Sequence, residues 1–131
     1  MWSRWMAAAL VIGLPACGGS SSSGTGPTTP PSTGTPPPGP TVTITAAGVS
    51  PKQIEIPVGS RVTFVNMANT VHEMSSDPHP THENCPPINE VSALAPGQFR
   101  QTGAFSTARI CGYHDHGQST NTLVQGTIVI R

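Results

Sequence analysis

From Thr41 onward the chain alternates apolar and polar residues in short runs broken by Gly, Pro, Asn and Ser. Val42 and Ile44 alternate with threonines, and Ile54, Ile56 and Val58 alternate with Gln53, Glu55 and Pro57, the period-two mark of half-buried strands. Pro57 has no N–H to give a ladder, so that strand lies at an edge or ends there. Gly59-Ser60 turns the chain into Arg61–Val65, a run of β-branched and aromatic residues. After a turn-like Asn66 to Asn69, a short strand carries His72, and further strands are predicted at Phe99–Phe105, Ala108–Cys111 and Leu123–Arg131. No segment sustains a helical period. Seven or eight short strands at regular turn spacing predict an all-β domain, a Greek-key β-sandwich or barrel.

Between Ser75 and Gln98 prolines and turn formers interrupt both periodicities, which predicts a long surface loop with one helical turn near Ile88–Leu94. A loop of that length in a small domain is usually functional.

The N-terminal part has a different texture. Residues 1–17 carry Arg4, an apolar run from Met6 to Leu14 too short to span a membrane, and a small-residue site, and so read as an export signal. Leu14-Pro15-Ala16-Cys17 resembles the bacterial lipobox, which implies a lipidated Cys17. Residues 18–40 consist of Gly, Ser, Thr and Pro alone, have nothing apolar to bury, and predict a disordered tether. Residues 41–131 then form the domain. The expected location is the bacterial periplasm or cell surface, with the membrane met only through the lipid.

Charged residues make up 9% of the chain, six basic against six acidic. With no basic patch and few aromatics to stack on bases, nucleic acid is excluded as a partner.

The chemistry lies in the histidines and cysteines. All five histidines fall in two clusters, 72/79/82 and 114/116. In Ile110-Cys111-Gly112-Tyr113-His114-Asp115-His116-Gly117 a thiol and imidazoles follow one another closely, a donor set suited to copper or zinc. With Cys17 set aside, Cys85 and Cys111 remain in an exported and oxidising setting, where they can also pair. Such a bridge closes a loop of about 26 residues and stabilises by roughly 3 kcal/mol in the chain-entropy model. Thiolate ligand and disulfide partner are thus competing fates for Cys111.

Ile54–Asn66, followed by His72, and then Cys111-Gly112-Tyr113-His114 with Gly126–Ile130, resemble the cupredoxins, the plastocyanin and azurin family of small blue copper proteins. The resemblance covers nearly all of residues 41–131. It implies a β-sandwich and one type 1 copper ion held by His72, Cys111 and His114. The family's weak axial Met is missing, because Val124 stands at the matching place. Gln118 or Gln125 is then the axial candidate, His116 is an alternative to His114, and His79 and His82 are weaker metal candidates in an insertion the simpler family members lack.

Three function classes follow. The first is one-electron transfer with an exported redox partner protein, without enzymatic activity. The second is a histidine-based Cu or Zn module for storage or delivery, with a Cys85–Cys111 disulfide; an open copper position would make an oxidoreductase of it. The third is a metal-free interaction domain.

Overall fold

The computed structural model describes residues 30–131; the export signal and Cys17 lie outside them. Ten strands and one short α-helix follow in order among the described residues: β1 Ser32–Thr33, β2 Thr41–Thr45, β3 Gly48–Ser50, β4 Gln53–Ile56, β5 Thr63–Asn66, β6 His72–Ser76, α1 Pro86–Asn89, β7 Ser92–Leu94, β8 Gln98–Gln101, β9 Arg109–Asp115 and β10 Gln125–Ile130. They form two five-stranded sheets, ordered β1-β8-β5-β2-β3 and β4-β10-β9-β6-β7. β2 runs parallel to β5 and β4 parallel to β10, while the other neighbours are antiparallel. The protein is an all-β sandwich, as the alternation predicts, and β4, which ends just before Pro57, is an edge strand. No helix among the described residues is long and apolar enough to cross a membrane.

The core lies between the sheets. Val42, Ile44 and Phe64 of the first sheet meet Met74, Tyr113 and Ile128 of the second, all fully or almost fully buried. Phe64 and Tyr113 meet edge to face with ring centroids 5.1 Å apart, an arrangement in which ring edge and ring face attract. That contact fixes which side of β9 faces inward. With side chains alternating along the strand, Cys111, Tyr113 and Asp115 point into the sandwich, and Gly112 and His114 point out.

Two departures from the sequence reading matter for the site. Strand pairing begins at Ser32, inside the stretch read as tether, where β1 joins the edge of β8. More important, β9 does not stop at Cys111 but continues to Asp115, because Gly126 and Gln125 of β10 keep pairing with Tyr113 and His114. The residues expected on a ligand loop are therefore on a strand. The helical turn falls at α1, a little ahead of its predicted place, with Ile88 buried in the core.

Candidate metal centre

The segment from Asp77 to Asn84 leaves β6 and folds back across the outer face of the second sheet, over His114. It is pinned at several points. The Asp77 N–H donates to the Gly112 carbonyl at 3.0 Å, and the Asn84 N–H donates to the Asp77 carbonyl at 3.0 Å. The His82 carbonyl accepts from Ser76 Oγ at 2.8 Å and from Asn89 Nδ2 at 2.7 Å. His82 itself adopts a left-handed backbone, φ 53°, which a non-glycine residue keeps only where its surroundings hold it. Beyond Asn84 the chain is tied to β9 by a disulfide between Cys85 and Cys111, with Cα atoms 5.8 Å apart and both residues buried.

This loop brings His79 and His82 over His114, so that one ring nitrogen from each lies within 4.8 Å of the others. The ring centroids of His82 and His114 are 5.0 Å apart, those of His79 and His114 5.5 Å, and His116 packs 5.1 Å from His79 and 4.9 Å from His82. Hydrogen bonds assign the free lone pairs. His82 Nδ1 donates to the Ser76 carbonyl at 2.8 Å, so Nε2 carries its lone pair and accepts from His116 Nδ1 at 2.9 Å. His114 Nδ1 donates to Asp77 Oδ1 at 2.6 Å, which leaves its Nε2 buried and without a partner among the described residues. The surroundings of His79 and then the charges of His116, His114 and His82 push its pKa below the ordinary imidazole value.

Neutral imidazoles with converging lone pairs, one of them buried and otherwise unsatisfied, suit a divalent borderline metal ion such as Cu(II) or Zn(II). A copper ion thus fits the residues present at His79, His82 and His114 through nitrogen alone, but not as the thiolate-bound type 1 centre that the resemblance implies.

The other expected ligands lie elsewhere. Cys111 is not a thiolate: its sulfur is bonded to Cys85, the second of its two competing fates. His72 points inward from β6 and donates from Nδ1 to Asp115 Oδ2 at 2.5 Å, while Thr70 Oγ1 donates to its Nε2 at 3.2 Å. Gln118 Nε2 reaches the same Asp115 carboxylate at 3.5 Å. His72 and Gln118 line a cavity of about 240 Å³ that also touches Val124 and Leu123. Gln125 donates to the Ser119 carbonyl at 2.8 Å, so neither axial candidate joins the imidazole cluster. The physical reason for the separation is the parity of the strand. Cys111 and His114 are an odd number of residues apart on β9, so their side chains leave on opposite faces.

Asp77 and Gly112 beside the imidazole cluster, and Asp115 as the partner of His72, are the residues that sequence reasoning passed over. The one available signal was that Asp77 and Asp115 each lie within two residues of a histidine.

No family model and no curated protein matches the chain. Solved structures do. A purple cupredoxin from Nitrosopumilus maritimus is 21% identical with a TM-score of 0.54, over 71% of this chain and all of that one. Oxidized plastocyanin from Dryopteris crassirhizoma is 16% identical, TM-score 0.55, over 70% of this chain and 99% of that one. A mutant amicyanin with a methionine replaced by alanine, in its Cu(I) form, is 18% identical, TM-score 0.57, over 77% of this chain and 91% of that one. The fold is that of the cupredoxins.

Proposed function

We propose that this chain is an exported copper-binding protein of cupredoxin fold that holds a divalent ion with histidines alone and serves metal storage or delivery. The observation that carries this is the convergence of His79, His82 and His114 within 4.8 Å, while the cysteine needed for a blue copper site is consumed in a disulfide. Export is supported by the apolar N-terminal run of the sequence and by the bridge itself, since disulfides persist in oxidising compartments. Anchoring through Cys17 rests on the lipobox-like text alone. Zn(II) suits the same donors, and which ion occupies the site in the cell follows from availability as much as from affinity.

A second reading, one-electron transfer by copper in the same imidazole site, rests on the likeness to plastocyanin and amicyanin, which are recorded in oxidized and Cu(I) forms. Both readings are tested on the purified mature protein by titration with Cu(II) and Zn(II), followed by visible spectroscopy and voltammetry. One tightly bound ion, lost in His82→Ala and giving only weak colour with copper, is the expected result. A reversible copper couple in the loaded protein favours electron transfer. An intense sulfur-to-copper band, or no binding at all, overturns the histidine site.

A further inference from the structure

On the reading that His79, His82 and His114 hold the ion, one further pair of residues explains why the site is ready to receive it. Asp77 follows β6 and stands beside Gly112 of β9, one step beyond the Ser76–Tyr113 pair. Its backbone N–H is bonded to the Gly112 carbonyl at 3.0 Å, and its carboxylate occupies the space where a side chain of residue 112 would stand. A Cβ on Gly112 would run into Asp77 Oδ2 and lie 3.0 Å from Asp77 Cγ. Gly112 has no need of glycine for its backbone, since no left-handed φ is found there; what the residue supplies is room. From that notch Asp77 Oδ1 accepts a hydrogen bond from His114 Nδ1 at 2.6 Å. The imidazole is 2% exposed and the carboxylate 48% exposed, so the ring is buried and its holder reaches solvent.

We propose that Asp77, seated in the notch left by Gly112, is the positioning residue of the metal centre: it fixes His114 in the Nδ1–H tautomer with the Nε2 lone pair aimed at His79 and His82. Two observations point the same way. His114 Nε2 is buried with no partner among the described residues, an arrangement that a ring free to turn or to change tautomer would relieve, because an unsatisfied buried polar atom is costly. And the carboxylate adds negative charge on the far side of the ring, which strengthens the imidazole as a donor to a divalent cation. Asp77 therefore touches no ion and acts only through His114. Partners of this kind, when removed, typically lower metal affinity by about 10–100-fold.

The test has two readouts, one of them independent of metal. Long-range 1H–15N spectra of the metal-free protein report the tautomer of His114, and competitive Zn(II) titration reports affinity. Wild type is expected to give the Nδ1–H form. Asp77→Ala is expected to give a tautomer mixture and about 10–100-fold weaker Zn(II) binding. Asp77→Asn keeps a side-chain oxygen acceptor, so it should restore the tautomer and recover part of the affinity. Gly112→Ala should weaken binding in the wild-type background and add little in Asp77→Ala, because the two changes break the same contact. An unchanged tautomer and affinity in Asp77→Ala overturns the proposal, as does strict additivity of the two losses. A wild-type protein that takes neither Zn(II) nor Cu(II) sinks the metal reading itself, and the tautomer spectra still decide whether Asp77 holds the ring.

Discussion

His72 and His114 stand on opposite faces of one sheet. β6 and β9 pair Met74 with Asp115 and Ser75 with His114, so His72, two residues from Met74, shares the inner face with Asp115, and His114 shares the outer face with Ser75. The two histidines that a blue copper site would join are separated by the thickness of the sheet.

The first prediction follows from that separation. His114→Ala should abolish tight metal binding, whereas His72→Ala should leave binding intact and lower stability instead. Asp115 is buried and would lose its shortest partner, at a cost of roughly 1–3 kcal/mol. Denaturant unfolding alongside Zn(II) titration separates the two effects; metal loss in His72→Ala at unchanged stability contradicts it.

Within the cluster, His79→Ala and His82→Ala should each weaken binding at least about tenfold, whereas His116→Ala should not weaken it and should, if anything, tighten it. His116 is exposed and reaches His82 at the nitrogen an ion would occupy, so its hydrogen bond competes with metal. Equilibrium titrations of the three variants give the order.

The disulfide yields the third. Cys111→Ser should not remove a copper colour band, because the sulfur is already bonded. It should lower stability by roughly 3 kcal/mol, the chain-entropy value for a loop of this length, and weaken metal binding by loosening the segment that carries His79 and His82. A free-thiol count of zero on the unreduced, metal-free domain is the companion measurement.

The fourth concerns pH. His79 has a pKa below the ordinary value of 6.5, held down by its surroundings and by neighbouring imidazoles. The folded state therefore binds that proton less readily than the unfolded chain. Its contribution to stability is present above 6.5 and is lost as pH falls through the lowered folded value. In the metal-free protein, His79→Gln should flatten this part of the stability–pH curve, measured as unfolding midpoints from neutral to mildly acidic pH.

How far could residues alone take these conclusions? The two-residue alternation in Val42–Ile44 and Ile54–Ile56 reported the sandwich directly, because each strand has one wet and one dry face. The odd run of prolines and histidines after Ser75 marked the loop that brings His79 and His82 over His114. What stayed hidden was the end of β9. Cys111-Gly112-Tyr113-His114 reads equally well as a strand continuing or as a ligand loop beginning, and only pairing with Gln125 and Gly126 decides between them. That choice sets the side on which each residue lies. One such step moved Cys111 from the metal to Cys85, sent His72 to Asp115, and promoted His79 and His82, which local sequence had ranked lowest. Asp77 was illegible for a related reason: its importance lies in the space above Gly112, a tertiary relationship between residues far apart in sequence.

β1 has its own consequence. Ser32 and Thr33 form the outermost strand of the first sheet, against Phe99 and Gln98, between Pro30-Pro31 on one side and Pro36-Pro37-Pro38 on the other. A strand bordered by prolines offers few N–H groups to a newcomer, and open sheet edges are where proteins template one another's aggregation. The proline-rich stretch therefore acts as a selvage for that sheet, finishing its border at β8 so that another chain finds little to knit onto there. A chain trimmed to begin at Thr41 would lay bare β8 and lose that finish.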